Sequence, residues 1–270
     1  MTALSQVFAD LRAMNRKAFI PFLTIGDPDL PSTALFLRSL AYAGATAVEL
    51  GFPYSDPIAD GPVIQASYTR ALSHKTGMDE LFRFAKSLVN QDALHAMPRL
   101  AMLSYSLIHR RVPERFVIQS RENGICGLIV PDLPIEESPY LQKLCQREGL
   151  DLVQLVTPTT PQERAKRILA CSSGFVYCVS VAGITGTRNE IPGELLDQLG
   201  WLKSQTSLPL CVGFGISRPD QATLLRNYCD GVIVGSALVK ICERATYEPV
   251  NQIATALEAL ATAIIQALNP

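Results

Sequence analysis

Short apolar runs, many rich in β-branched residues, recur along the chain and alternate with amphipathic stretches. "AFIPFLTIG" around Phe19, "TAVELG" around Val48, "RLAMLSYS" around Met102 and "CGLIVPD" around Ile129 form a first set of four. "DLVQLVTP" around Gln154, "GFVYCVSV" around Tyr177, "LPLCVGFG" around Val212 and "DGVIVGS" around Ile233 form a second. Runs this short and this continuously apolar describe strands buried on both faces, as in a parallel sheet. Between them, "PSTALFLRSLAYAG", "SPYLQKLCQREG" and "TPQERAKRILACS" space their apolar residues three and four apart. Several of these stretches begin at Ser, Thr or Asp with Pro nearby, which marks helix starts.

Strict alternation of eight strands with crossover helices predicts an α/β fold, a (β/α)8 TIM barrel spanning residues 1–270 as a single domain. An open doubly wound sheet is the alternative architecture. A helix is expected at the N-terminus, and the Ala- and Leu-rich tail "PVNQIATALEALATAIIQAL" reads as the closing helix. Two connections are long: about fifty residues separate the second and third strands, and "SVAGITGTRNEIPGE" follows the sixth. Each predicts a functional loop.

Composition removes several classes of function. With 24 Lys+Arg against 25 Asp+Glu the formal charge is -1, so no overall field favours nucleic acid or an anionic membrane. Among 270 residues, 48% hydrophobic, no apolar run approaches the ~20 residues of a membrane span. The first residues carry charges where a signal peptide has its apolar region. The seven cysteines form no C-x-x-C pair, and several fall in apolar runs, where a thiol packs as a small hydrophobe. A cytoplasmic chain acting on small molecules is expected.

Barrel chemistry sits where strands end, at the C-terminal mouth. The groups there are few. Glu49 lies inside the second strand between Val48 and Leu50, and Asp60 follows in its loop. A buried carboxylate is costly unless it is neutralised or its altered proton affinity is used, so Glu49 is either paired with a cation such as Arg or catalytic. Asp60 stands before Gly61 and Pro62, where it is either a helix N-cap or a second catalytic carboxylate. Asp27 and Asp132 read as turn residues. His74, His95 and His109 lack metal-ligand spacing, so no metal site is expected. The lysines fall outside the strand ends, so a Schiff-base nucleophile is not expected either. "GFGIS" and "VGSAL" end the last two strands in glycine, and Gly186 lies in the long loop. Backbone amides exposed in this way suit a phosphate, so the substrate is expected to be phosphorylated.

The stretch "ELGFPYSDPIADGPVIQ" resembles the most characteristic segment of the tryptophan synthase alpha subunit family. "FIPFLTIGDPD", "GLIVPDLP", "LVTPTT", "VSVAGITG", "VGFGIS" and "DGVIVGSAL" are similar to that family's segments in the same order and spacing. The resemblance implies retro-aldol cleavage of indole-3-glycerol phosphate to indole and glyceraldehyde 3-phosphate, with no cofactor in this subunit. Glu49 would then be the general acid/base and Asp60 would steady the indole N–H. The phosphate would be held by the backbone of Gly186, Phe214, Gly215 and Gly235 and by Ser236. Phe22 and Tyr177 would border the indole, although inward aromatics in a barrel are equally read as core. Thr185 would sit in a loop that closes over the site.

The family works as an αββα heterotetramer whose beta subunit carries pyridoxal phosphate, which places Pro53, Asp56, Pro57 and Pro134 toward that partner. For Asp56 a simple Asx turn before Pro57 is the other reading. One segment departs from the family: Ser104-Tyr105-Ser106 stands where a Tyr-x-Asn pattern is usual. A stand-alone indole-releasing lyase, a weakly catalytic regulatory subunit and a sugar-phosphate isomerase are the competing functions.

Overall fold

The structure, a computed structural model, describes residues 2–58, 60–180, 193–213 and 215–270. Eight strands form a closed barrel in chain order: β1 (Ala18–Thr24), β2 (Val48–Gly51), β3 (Arg99–Met102), β4 (Gly127–Ile129), β5 (Asp151–Val156), β6 (Val176–Val179), β7 (Leu210–Gly213) and β8 (Gly231–Val234). All the pairings are parallel, and β1 pairs with both β2 and β8. This closure excludes an open doubly wound sheet, which would leave two strand edges unpaired.

Local chemistry accounts for the helix boundaries. The helix Leu30–Ala43 starts where the Asp29 carboxylate accepts from the Ser32 amide at 2.7 Å, and it stops at Gly44, whose φ of 100° only glycine adopts cheaply. The expected N-terminal helix is Ala3–Ala13, and the closing helix is Val250–Leu268. The long interval after β2 holds an irregular loop and then three helices, Pro62–Ser73, Met78–Val89 and the single turn Asp92–His95.

Alternation along each strand splits the apolar residues into two cores. Phe19, Leu23, Val48, Leu50, Leu128, Leu152, Val176, Val212 and Val232 face outward against the helices. Ala18, Ile20, Phe22, Leu100, Met102, Ile129, Val153, Tyr177, Cys211 and Ile233 fill the interior. Leu4 and Phe8 of the N-terminal helix close the far end, with Phe8 packed on Phe175 at a ring separation of 5.8 Å. Because Val48 and Leu50 face outward, Glu49 points into the barrel.

Among the described residues, Asn15, Lys75 and Val112 are the non-glycine residues with positive φ, and of these Val112 is the β-branched one. Val112, between the helices Tyr105–Arg110 and Pro113–Glu122, has φ 64°, a strained conformation for a β-branched side chain. Its amide donates to the His109 carbonyl at 3.2 Å and its carbonyl accepts from the Phe116 amide at 3.1 Å, so the flanking helices hold it there. Val112→Gly relieves the strain and adds some unfolded-chain entropy, for a net gain of about 0.5–1 kcal/mol. The check is a higher urea midpoint with an unchanged slope.

Candidate active site

Glu49 sits one layer below the rim of the barrel, in register with Phe22 on β1 and Leu100 on β3. It is fully buried, and neither carboxyl oxygen has a hydrogen-bond partner among the described residues. Among the described residues no guanidinium neutralises it. Burial alone pushes its carboxyl well above the usual carboxylate range. Asp151, at the opposite end of the barrel, provides a contrast: burial pushes it up as well, but hydrogen bonds from Thr2 and Ser173 oppose that push. Asp151 is held by its neighbours, whereas Glu49 faces a cavity.

That cavity has a volume of about 690 Å³ and opens at the C-terminal mouth. Glu49 and Asp60 line it together with apolar groups that include Phe22, Ile64, Met102 and Tyr177. Both carboxylates act electrostatically on the Tyr68 and Tyr177 phenols, raising each, so the two acids flank one shared space. Asp60 is half-buried and does not cap the following helix. Gly61 occupies the N-cap position and Pro62 begins the helix, leaving the Asp60 carboxylate to accept from the Tyr54 hydroxyl at 3.2 Å. Burial raises the Asp60 carboxyl, the Tyr54 bond lowers it, and the charge of Asp132 raises it again.

Two glycines let aromatic rings lie across the rim. A side chain on Gly51 would stand 2.4 Å from the Phe22 ring, and one on Gly213 would stand 2.4 Å from the Tyr177 hydroxyl. Phe22 and Tyr177 therefore lie flat over neighbouring strands and wall the cavity. Opposite the acids, Gly215 turns with φ 86°, and Gly235 precedes the helix Ser236–Glu243, whose first amides lack intrahelical acceptors. Gly215, Gly235 and Ser236 all line the cavity, where amides and a helix N-terminus suit an anion. Thr185, Gly186 and Phe214 lie outside the described residues.

Around the mouth, Asp27 is more than a turn residue. Both its oxygens accept from Arg70, at 2.8 and 2.9 Å, and Arg70 also reaches Glu243 at 3.1 Å, which ties the loop after β1 to two helices. Asp132 accepts from the Ser104 hydroxyl at 2.6 Å and the Tyr105 amide at 2.8 Å. The departing Ser-Tyr-Ser segment is thus bound to the loop after β4. Of the residues assigned toward a partner, Asp56 and Pro134 are exposed and Pro57 is half-buried, while Pro53 is buried beneath the loop. Asp56 accepts from the Ser55 hydroxyl at 2.8 Å, and Ile58 beside it is 92% exposed.

Two groups at or beside the cavity were not anticipated from sequence. Lys240 lines the cavity although, as expected of the lysines, it stands outside the strand ends. It sits one turn beyond Ser236 on the same helix, so it reaches the mouth from a helix rather than a strand end. Its side chain is exposed, unlike the desolvated amine of a Schiff-base site. Tyr54, beside the cavity, was the other; an aromatic hydroxyl six residues before Asp60, in a proline-stiffened loop, was the available signal.

Comparison with known proteins is consistent along the whole chain. The family model described as "Tryptophan synthase alpha chain" matches residues 8–268. The tryptophan synthase alpha chain of Rhodopirellula baltica is 48% identical over 262 residues, covering 96% of this chain and 94% of that relative. That of Trichormus variabilis is 44% identical over 266 residues, covering 98% and 99%. Among solved structures, tryptophan synthase subunit alpha from Legionella pneumophila str. Paris superposes with a TM-score of 0.89 at 34% identity, covering 100% of this chain and 99% of that one. Tryptophan synthase from M. tuberculosis in an aminoacrylate-bound form gives a TM-score of 0.86 at 28% identity, covering 100% of each chain.

The buried acid makes stability depend on pH. Its folded pKa lies well above the ordinary value of 4.5, so the folded protein keeps a proton that the unfolded chain releases. The stability linked to this group is full below the unfolded pKa, about 4.3, and is lost as pH rises through the folded value. Glu49→Gln abolishes that titration. Its stability relative to the parent is expected to climb as pH rises above the unfolded pKa of about 4.3 and to level off once pH passes the folded value, as read from urea unfolding at each pH.

Proposed function

The chain belongs to the tryptophan synthase alpha chain family, lyases that cleave indole-3-glycerol phosphate in tryptophan biosynthesis, and we propose that its Glu49 and Asp60 divide the proton work of that cleavage. The observation that carries this assignment is the unpartnered Glu49 carboxyl, fully buried and facing an apolar cavity. A carboxylic acid kept protonated by burial donates a proton to the indole ring carbon that bears the glycerol chain. The ring nitrogen then carries positive charge, which the Asp60 carboxylate stabilises through the N–H. Glu49, now ionised, takes the proton of the hydroxyl on the adjacent carbon. The carbon–carbon bond breaks, its electrons return to the ring, and indole and the aldehyde of glyceraldehyde 3-phosphate leave. Electrons and protons balance without an oxidant or reductant.

Phe22 and Tyr177 sandwich the indole in this reading, and Gly215, Gly235 and Ser236 anchor the phosphate, with Gly186 and Phe214 assigned to the same anion and Thr185 to a covering loop. The exposed Asp56, Ile58 and Pro134 beside the mouth support a docking face for a tryptophan synthase beta subunit in an αββα assembly, with pyridoxal phosphate in that partner. The seven free thiols fit a reducing cytoplasm.

Glu49→Gln keeps the shape and removes the proton, so indole release should fall by about 10³-fold or more with the far-UV circular dichroism spectrum unchanged. Full turnover in that variant ends the assignment. For the partner, co-elution with the beta subunit and faster turnover of both half-reactions on mixing are expected. Separate elution with unchanged rates would leave the lyase acting alone.

A further inference from the structure

A carboxylate on a loop that must meet a single ring N–H needs something to hold its direction. The Tyr54 hydroxyl donates to Asp60 Oδ2 at 3.2 Å. Tyr54 is itself fixed, because its ring packs on Tyr68 with centroids 5.4 Å apart, and Tyr68 is buried on the helix Pro62–Ser73. The same helix grips the loop from the other side, where the Gln65 side-chain amide donates to the carbonyls of Asp60 at 2.7 Å and Pro57 at 3.2 Å. Both the backbone of Asp60 and one of its carboxylate oxygens are therefore pinned to one helix.

We propose that Tyr54 is the positioning residue for Asp60: its hydroxyl occupies one carboxylate oxygen, leaves the other for the substrate N–H, and favours the ionised carboxylate that the cleavage uses. The inference rests on the role assigned to Asp60 above. Four groups face this carboxylate: Tyr54 on its own loop, Tyr68 on the following helix, Asp132 on the loop after β4 and Tyr177 on β6. Burial and Asp132 disfavour the ionised form, and the Tyr54 bond opposes them. Burial, then the Asp60 charge and hydrogen bond, hold the Tyr54 phenol above its ordinary range, so it remains a donor. Nothing else among the described residues is recorded donating to the Asp60 carboxylate.

The test is Tyr54→Phe, which keeps the ring and its packing and deletes only the hydroxyl. The ¹³C-carboxyl resonance of Asp60 should titrate at higher pH than in the parent. The acid limb of the kcat/KM profile for indole release should move the same way, with a loss of about three- to tenfold on the acid side. In an Asp60→Asn background the Tyr54→Phe substitution should cost nothing further. An unmoved Asp60 titration with additive losses overturns the proposal and leaves Tyr54 as packing only. A titration that moves while the acid limb stays in place upholds the hold on Asp60 and overturns Asp60's part in the reaction, so the two failures are distinguishable.

Discussion

A carboxyl group inside an apolar barrel, with neither cation nor hydrogen-bond donor beside it among the described residues, is unfavourable for the fold and central to the proposed chemistry. Any cation added to neutralise Glu49 would lower its proton affinity and remove the acid that the proposed cleavage uses. Donors to its oxygens would act in the same direction. The rest of the interior is largely apolar around this group: apart from Asp151 at the far end, the other inward positions named around the barrel are apolar, aromatic or a thiol, and a closed sheet with a sealed far end supplies the burial. Local stability is exchanged for function at a single position.

Access and burial make opposite demands on that position, and glycine reconciles them. Gly51 lies two residues beyond Glu49 on the same strand, and the Phe22 ring occupies the space that a side chain there would take. Gly213 and the Tyr177 ring repeat the arrangement across the barrel. Rings lying over bare backbone let the cavity approach the acid while keeping that acid buried. The same residue type serves differently at Gly215 and Gly235, where the missing side chain brings backbone amides to the surface of the anion end.

Much of this was legible in the sequence because strand burial and helix periodicity are local signals. All eight strands appear where the apolar runs predicted them, and Glu49 stood out because a carboxylate interrupted such a run. The alternation of Val48, Glu49 and Leu50 even fixed which way it points. What the sequence did not reveal depends on contacts between segments distant in the chain. The Arg70 fork that grips Asp27 spans forty-three positions, and the Ser104 hydroxyl that holds Asp132 spans twenty-eight. Lys240 reaches the cavity by a different route, because a helix that begins at the mouth also delivers its second turn there. Asp60 was read as a possible cap because Pro62 follows it, yet the cap fell one residue later, on Gly61.

The departure at Ser104-Tyr105-Ser106 is best understood through Asp132. The Ser104 hydroxyl and the Tyr105 amide take one carboxylate oxygen each, so the loop after β3 and the loop after β4 are joined through a single acid. Asp132 in turn acts at a distance on both Asp60 and Tyr54, raising each. A shift of the loop after β3 would therefore reach the catalytic loop as a change in electrostatic field, without direct contact between the two. In this chain the link is made by the Ser104 hydroxyl, where the family pattern has Tyr, while the Ser106 hydroxyl, where that pattern has an amide, bonds to Ser104 and steadies it. Asp60 and the loops after β3 and β4 are thus coupled through charge, which the half-buried surroundings of Asp60 screen less than bulk water would.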